Sequence, residues 1–407
     1  MGRFIWFLAS SCLLMAKVIA DTDYGVIQVE PGKLQIIGSD TITTGQSVSK
    51  WSYEACQGCR IILSCAILAK KCDHLLTIFD GNSTHVYCAT LGVILEDSVN
   101  NKMNVTIMTK AGSRGLVCQV GATKHYTNIQ FEEIDSSEFG LGTGAKRQTS
   151  CKCGWTNKSP ARIIGGKDAS PNEYPFMVGL ILKVNNSNVC GGSIITPYHI
   201  LTAAHCFLSH PGAPFSAVVG EHNFFKSNET RFTKVIDIEK TIAYPKYVNS
   251  TIEKYDIAIG VLKEKIVFNQ AVGPVCLPNA RINLLGEYIT AMGWGEDMYR
   301  NGFPLVLQKV HLRVIALEIC NSMYPYIEMR NRHQICLVAP KRDTCKGDSG
   351  SPLVWRNPET NRYTQVAVVS YGRECGYSVP SVNPDVHFFM DWIKQVIAET
   401  VPHEVCV

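Results

Sequence analysis

The chain has 407 residues and a formal net charge of +4, and its acidic and basic side chains are interspersed rather than grouped in blocks. This distribution provides no basic patch of the kind that nucleic-acid binding needs, so we exclude a nucleic-acid partner. The length exceeds that of one compact domain. It therefore predicts two folded units together with segments that are removed or cut during processing.

Residues 1–20 have the pattern of a cleavable signal peptide. Arg3 precedes an apolar run from Phe4 to Met15, and the segment ends in Val18-Ile19-Ala20, the small-residue pattern that precedes a cleavage site. The alternative is a membrane anchor, but a bilayer span needs about 20 apolar residues and this run is shorter. No later stretch is long and apolar enough to span a membrane. We therefore expect a secreted, extracellular chain without a membrane partner.

Cysteine and sequon usage agrees with secretion. Of the 17 cysteines, Cys12 lies in the predicted signal peptide, which leaves an even number for a compartment where disulfides persist. Asn-x-Ser/Thr triplets, the acceptors of N-linked glycans, begin at Asn82, Asn104, Asn157, Asn185, Asn228 and Asn249.

Residues 21–135 are predicted to form an all-β domain. Short runs of alternating apolar residues, such as 60–68, 75–79 and 104–108, are separated by Gly, Asn and Ser, with little helical periodicity. The residues alone leave the pairing of this domain's six cysteines open. They are Cys56, Cys59, Cys65, Cys72, Cys88 and Cys118.

The segment from Cys72 to Gly81 reads CDHLLTIFDG and, with Cys88 and Cys118 downstream, resembles the middle of a CUB domain. That family is a small β-sandwich that mostly binds proteins, so the resemblance implies a protein partner for this module. It also implies bonds from Cys88 to Cys118 and from Cys72 to Cys56 or Cys59. The alternative is a generic disulfide-rich β-module.

Residues 136–162 are rich in Gly, Ser, Thr and Lys without a period, so we predict a linker that proteases can reach. From residue 163 onward, short β-rich runs are punctuated by Gly and Pro. Helical spacing appears only over 391–401, through Trp392, Val396 and Ala398. We predict an all-β unit over 163–401 that is closed by a C-terminal helix, followed by a tail over 402–407.

Three segments of this unit supply the groups that nucleophilic cleavage of a peptide bond needs: a hydroxyl, a base, a group that orients the base, and donors for the oxyanion. They are LTAAHC around His205, YDIAI around Asp256 and DTCKGDSGSP around Ser349. These segments resemble the chymotrypsin/trypsin family, over 163 to about 401. The order His, Asp, Ser is that of the family, whereas α/β-hydrolases run Ser, acid, His.

The family resemblance implies two β-barrels with the triad in the cleft between them. It implies that Ser349 is the nucleophile, His205 the general base and acid, and Asp256 the buried carboxylate that orients the imidazole. The main-chain N–H groups of Gly347 and Ser349 would form the oxyanion hole.

Arg162-Ile163-Ile164-Gly165-Gly166 resembles the activation site of the same family. Cleavage after Arg162 by an activating protease would create an ammonium group at Ile163, and burial of that charge requires a carboxylate beside it. The resemblance gives that role to Asp348. It implies a disorder-to-order switch in which the ion pair shapes the oxyanion hole and the specificity pocket.

Asp343 stands six residues before Ser349, where the resemblance to trypsin-like members implies the floor of the specificity pocket and therefore a preference for Arg or Lys. Ser370, Tyr371 and Gly372 would form the wall along which the substrate backbone pairs. The predicted pocket departs from the family at 380–383, which read Pro-Ser-Val-Asn where the family usually has Pro-Gly-Val-Tyr. Ser381 is expected to narrow the slot. Ser351 also replaces a usual glycine.

Family pairing implies three disulfides within the protease unit and one that tethers the N-terminal part, and Cys151 and Cys406 are left to pair with each other. The four implied bonds are Cys190–Cys206, Cys320–Cys336, Cys345–Cys375 and Cys153–Cys276. One usual family disulfide is absent, because Trp355 occupies one of its positions.

Gly220-Glu221-His222-Asn223 resembles the start of the calcium loop of some relatives, but of the nearby residues Asn228, Glu229 and Arg231 only Glu229 is a carboxylate. Oxygen ligation is incomplete, so we predict no metal and no cofactor.

Together these observations predict a secreted serine endopeptidase zymogen that hydrolyses protein or peptide substrates after Arg or Lys. Secreted arthropod proteases of haemolymph, saliva and venom are similar in architecture. The alternative is a catalytically silent protease homologue that acts as a binding or cofactor protein through its CUB-like module.

Overall fold

The computed structural model of the chain describes two units that follow the predicted order, an N-terminal β-sandwich and a larger β-rich unit with a C-terminal helix. None of the helices in the described residues is long and apolar enough to cross a membrane. The described residues are 18–38, 45–68, 72–88, 91–113, 116–123, 145–157, 167–226, 230–248, 254–296, 304–324, 326–338, 347–372 and 379–407.

The N-terminal module is a sandwich of two sheets, as predicted. One sheet has the order β1-β3-β8-β5-β6 and the other β2-β9-β4-β7, and the apolar core lies between them. Burial alternates along β8 because successive side chains of a strand point to opposite faces. The strands are β1 (Val18–Val29), β2 (Leu34–Gly38), β3 (Gln46–Ala55), β4 (Arg60–Leu68), β5 (His74–Phe79), β6 (Thr84–Cys88), β7 (Leu91–Asp97), β8 (Lys102–Lys110) and β9 (Val117–Thr123).

The cysteine pairing implied for this module by the CUB resemblance is wrong. Cys88 bonds to Cys72, which closes the β5–β6 hairpin, and Cys118 bonds to Cys65, which is its cross-strand neighbour in the β4–β9 ladder. A bond from Cys88 to Cys118 would join strands of different sheets. Cys56 and Cys59 bond to each other, so neither is left for Cys72.

The first half of the larger unit is a closed barrel with the order β11-β12-β13-β16-β15-β14. The short helix α1 begins two residues after β13 ends. The elements are β10 (Lys167–Asp168), β11 (Met177–Leu182), β12 (Ser187–Thr196), β13 (His199–Thr202), α1 (Ala204–Leu208), β14 (Phe215–Val219), β15 (Lys234–Ala243) and β16 (Ala258–Leu262).

The second half is an antiparallel sheet with the order β21-β20-β17-β18-β19-β22, to which β10 adds at β18. The predicted C-terminal helix is present, and its buried face consists of Met390, Ile393, Val396 and Ile397, while Ala398 is exposed. The elements are β17 (Tyr288–Gly293), β18 (Gln308–Ile315), α2 (Leu317–Met323), β19 (Gln334–Val338), β20 (Pro352–Asn357), β21 (Arg362–Val368), β22 (Ser381–Pro384), a 3₁₀ helix (Val386–Phe389) and α3 (Met390–Glu399).

The described part of the predicted linker, 145–157, is docked on the protease unit rather than loose. Cys153 and Trp155 are buried, and the Trp155 indole N–H donates to the main-chain oxygen of Gln270. Cys153 bonds to Cys276, and Cys151 bonds to Cys406, a link that we call the tail bridge. Both pairings agree with the sequence analysis, and they hold this segment to the unit at two places.

Candidate active site

His205 and Asp256 meet because β13, which precedes His205, pairs with β16, which follows Asp256. His205 lies in α1, just after β13, and Asp256 lies just before β16, and Thr202 is the cross-strand neighbour of Ala258. The His205 ring Nδ1 is 2.7 Å from Asp256 Oδ2, and the His205 main-chain N–H donates to Asp256 Oδ1 at 2.9 Å. The Asp256 side chain is 1% exposed and the His205 side chain 20% exposed. The imidazole is therefore held by a buried carboxylate while part of it reaches solvent.

A third donor fixes the same carboxylate. The Ser370 hydroxyl donates to Asp256 Oδ2 at 2.6 Å, in a buried position. Ser370 was predicted only on the substrate wall, and this contact could not be predicted because Ser370 and Asp256 are 114 positions apart in the chain. A hydroxyl at the end of an apolar strand was the only available signal. Three hydrogen bonds, two from His205 and one from Ser370, therefore satisfy the buried oxygens of Asp256.

Ser349 lies in a tight loop that packs against the strand and helix that carry His205. The Ser349 main-chain oxygen accepts from the Gly191 N–H at 2.7 Å. At Gly350, where φ is +78°, a Cβ would overlap the Gly191 oxygen and lie 3.1 Å from Cys206 Sγ. Gly347 has φ +95°, a left-handed conformation that favours glycine. The loop thus brings Gly350, the residue that follows Ser349, against Cys206, the residue that follows His205.

The disulfides around the site agree with the family pairing. Cys190 bonds to Cys206 and Cys320 to Cys336, whereas Cys345 and Cys375 lie outside the described residues. Possible ligand atoms of Cys190, His205 and Cys206 lie within 4.8 Å of one another. The two sulfurs are bonded to each other and are not thiolates, so this cluster does not offer a metal the ligands it needs.

Asp348 is directed toward the second half of the unit. Its Oδ1 accepts from the Gly295 N–H at 2.8 Å, at the end of the segment that follows β17. Asp348 and the neighbouring Ser349 therefore belong to the same loop, yet the Asp348 carboxylate contacts the second sheet. Arg162 and Ile163, its predicted partners in activation, lie outside the described residues.

The two departures in the specificity pocket contact each other. The Asn383 amide donates to the Ser381 hydroxyl at 3.1 Å, and Asn383 Oδ1 accepts from the Ser370 N–H at 3.2 Å. Tyr371 pairs with Val382 of β22 through two main-chain hydrogen bonds, of 2.9 and 3.3 Å. The predicted wall, 370–372, therefore lies along β22. Asp343 lies outside the described residues.

An imidazole held by a buried carboxylate and a serine in a neighbouring loop, at a barrel joined to an antiparallel sheet, are features of serine proteases. The trypsin family model matches residues 163–393, more than half of the chain. The chain belongs to the trypsin family of serine proteases.

Relatives that include arthropod venom and clotting proteases support this assignment. Venom serine protease 34 of Apis mellifera is 31% identical over 387 residues, which cover 92% of this chain and 87% of that protein. Venom serine protease of Polistes dominula is 39% identical over 64% of this chain and 94% of its own length. Clotting factor G beta subunit of Tachypleus tridentatus is 32% identical over 58% of this chain and 79% of its own length.

Proposed function

We propose that the chain is a secreted zymogen of a serine endopeptidase that cleaves peptide bonds after Arg or Lys. The observation that carries this proposal is the buried Asp256 carboxylate, which holds the His205 imidazole at 2.7 Å beside the loop of Ser349. A silent homologue would need neither this buried charge nor its three donors. Their retention favours catalysis over binding alone.

In the proposed reaction, Ser349 Oγ attacks the carbonyl carbon of the substrate while His205 Nε2 takes the hydroxyl proton. Asp256 stabilises the imidazolium that forms, and the proton then passes to the leaving amine. Water, activated by the same imidazole, hydrolyses the resulting ester. The N–H groups of Gly347 and Ser349 would bind the oxyanion, and loss of one such donor typically costs about 2.7 to 4 kcal/mol.

Activation would follow cleavage after Arg162, when the new Ile163 ammonium pairs with Asp348. The docked segment 153–157 supports this proposal, because it leads the chain toward the cleavage site while it is bonded to the protease unit. The Asn157 N–H and the Thr156 hydroxyl both donate to the Glu173 main-chain oxygen. Glu173 itself has a buried carboxylate that forms an ion pair with Lys309 at 2.6 Å.

Secretion is supported by the seven disulfides of the described residues and by the extracellular context that the names of the venom and clotting relatives suggest. Of the predicted glycan acceptors, Asn82, Asn104 and Asn185 are exposed, which suits this role. Asn157 is disfavoured, because its amide nitrogen donates to two main-chain oxygens. Asn228 and Asn249 lie outside the described residues.

The test uses the full-length chain, cut at Arg162 and incubated with small arginine and lysine substrates and with a serine-directed fluorophosphonate. We expect hydrolysis and a label on Ser349. Arg162→Gln should stay full length and inactive, because no Ile163 ammonium is released. Asp343→Ser should keep the label but lose the preference for basic side chains. A cut chain that neither hydrolyses nor reacts would instead support the binding or cofactor role.

A further inference from the structure

The N-terminal module and the protease unit share one buried apolar cluster, which we call the shared cluster. Its buried residues from the module are Ala66 of β4 and Val93 of β7, each 2% exposed. Strand β4 lies directly against helix α2. The buried protease residues of the cluster are Ile315, Ala316, Leu317, Ile319, Cys320, Met323, Tyr324, Ile327, Cys336, Val338 and Val382.

Two polar contacts fix the module in this position. Arg313 of β18 is only 4% exposed, and its guanidinium donates to Asp97 Oδ1 of the module at 2.6 Å. The buried Gln119 side-chain oxygen of β9 accepts from the Ala316 N–H, at the residue that precedes α2. A buried guanidinium and a buried helix-end N–H both need a partner, and in each case the module supplies it.

Helix α2 connects this contact to the substrate wall. The residue that follows the helix is Tyr324, and its hydroxyl donates to the Pro380 oxygen at 2.7 Å. The Tyr324 ring also meets Tyr371 edge-on, with ring centroids 5.9 Å apart. Val382, the main-chain partner of Tyr371, belongs to the shared cluster. One packed unit therefore extends from the module to β22 and to the predicted wall beside it.

We propose that the N-terminal module determines substrate specificity from within the chain, and that Ala66 and Gln119 are positioning residues for the wall formed by 370–372 and β22. Close-packed interiors transmit small displacements instead of absorbing them. A shift of α2 is therefore expected to move Tyr324 and, through its contacts with Pro380 and Tyr371, the wall formed by 370–372 and β22. The ligand affected is the extended peptide substrate that pairs along the wall. This inference rests on the proposed function, because it requires that the wall binds substrate.

The test measures kcat and KM separately on the full-length chain after cleavage at Arg162, with a library of peptide substrates. Ala66→Leu adds apolar volume between β4 and α2, and Gln119→Met keeps the volume but leaves the Ala316 N–H without its acceptor. For both variants we expect KM to rise about 3- to 10-fold and the ranking of peptides to change, while kcat stays within about 2-fold.

Val86→Leu is the matched control, because Val86 is 59% exposed on β6, in the opposite sheet of the module. It should change neither constant. Thermal unfolding of each variant establishes that it is folded. If Ala66→Leu does not fold, the KM and peptide ranking of Gln119→Met test the inference. A wild-type KM and peptide ranking in the folded variants would overturn the inference. Failure of the proposed function would look different, since the wild-type chain itself would then show neither hydrolysis nor a label on Ser349.

Discussion

Replacement of Asp256 by Asn tests the role of the buried carboxylate most directly. In the wild-type chain, the imidazolium formed during catalysis would face a negative charge 2.7 Å from His205 Nδ1. With an effective dielectric constant near 20, this pair contributes about 6 kcal/mol. The asparagine amide retains the shape of the carboxylate but removes its charge. It also directs an NH₂ group toward the His205 and Ser370 donors. At about 1.4 kcal/mol for each factor of ten, we expect kcat to fall on the order of 10⁴-fold.

The assay compares kcat of the cut Asp256→Asn chain with wild type on one small arginine substrate, with thermal unfolding as the check on folding. Ser370→Ala is the graded control, because it removes one of the three donors, a charge-assisted bond of about 1.5 to 3 kcal/mol. It should lower kcat about 10- to 100-fold. A loss below 10-fold in Asp256→Asn, or a larger loss in Ser370→Ala, would refute the assigned role of the carboxylate.

Three further predictions concern the fold around the site. Burial, and secondarily the charge of a nearby histidine, lowers the pKa of His199 to about 4, so the unfolded chain binds the proton first as pH falls below about 6.5. The free energy of unfolding should therefore drop, on the order of 2 kcal/mol, between pH 6.5 and 4 in denaturant titrations, and less in His199→Gln. After cleavage at Arg162, a chain with Cys153→Ser and Cys276→Ser should still run as one species on a non-reducing gel, because the tail bridge remains; separation would contradict that bridge. Gly191→Ala should slow labelling of Ser349, because the added Cβ would overlap Ser351 Oγ. Ser351→Gly should partly restore the labelling rate in the double variant. Equal rates in the single and double variants would contradict this contact.

The local patterns predicted several individual elements because periodicity depends only on neighbouring residues. The alternation along 104–108 became part of β8, and the helical spacing near the C-terminus became α3. The prediction failed for the cysteines of the N-terminal module. Disulfide partners are set by which strands are neighbours, and that information is absent from spacing alone. Cys65 met Cys118 because β4 pairs with β9.

For the site, residue types and their order along the chain predicted His205, Asp256 and Ser349 as a set, because a nucleophile, a base and an orienting acid are a restricted chemical combination. The third donor to the carboxylate and the bond between Ser381 and Asn383 emerged only from the tertiary structure.

The sequence by itself therefore determined the fold class of the two units and the family, and it predicted the chemical groups of the site, since these are encoded in short segments. The tertiary structure alone decided how the segments meet. The docking of the linker through Trp155, the pairing within the module and the cluster between β4 and α2 all depend on contacts between residues far apart in the chain. Such contacts form where buried surfaces of different elements fit together, and no local pattern records that fit.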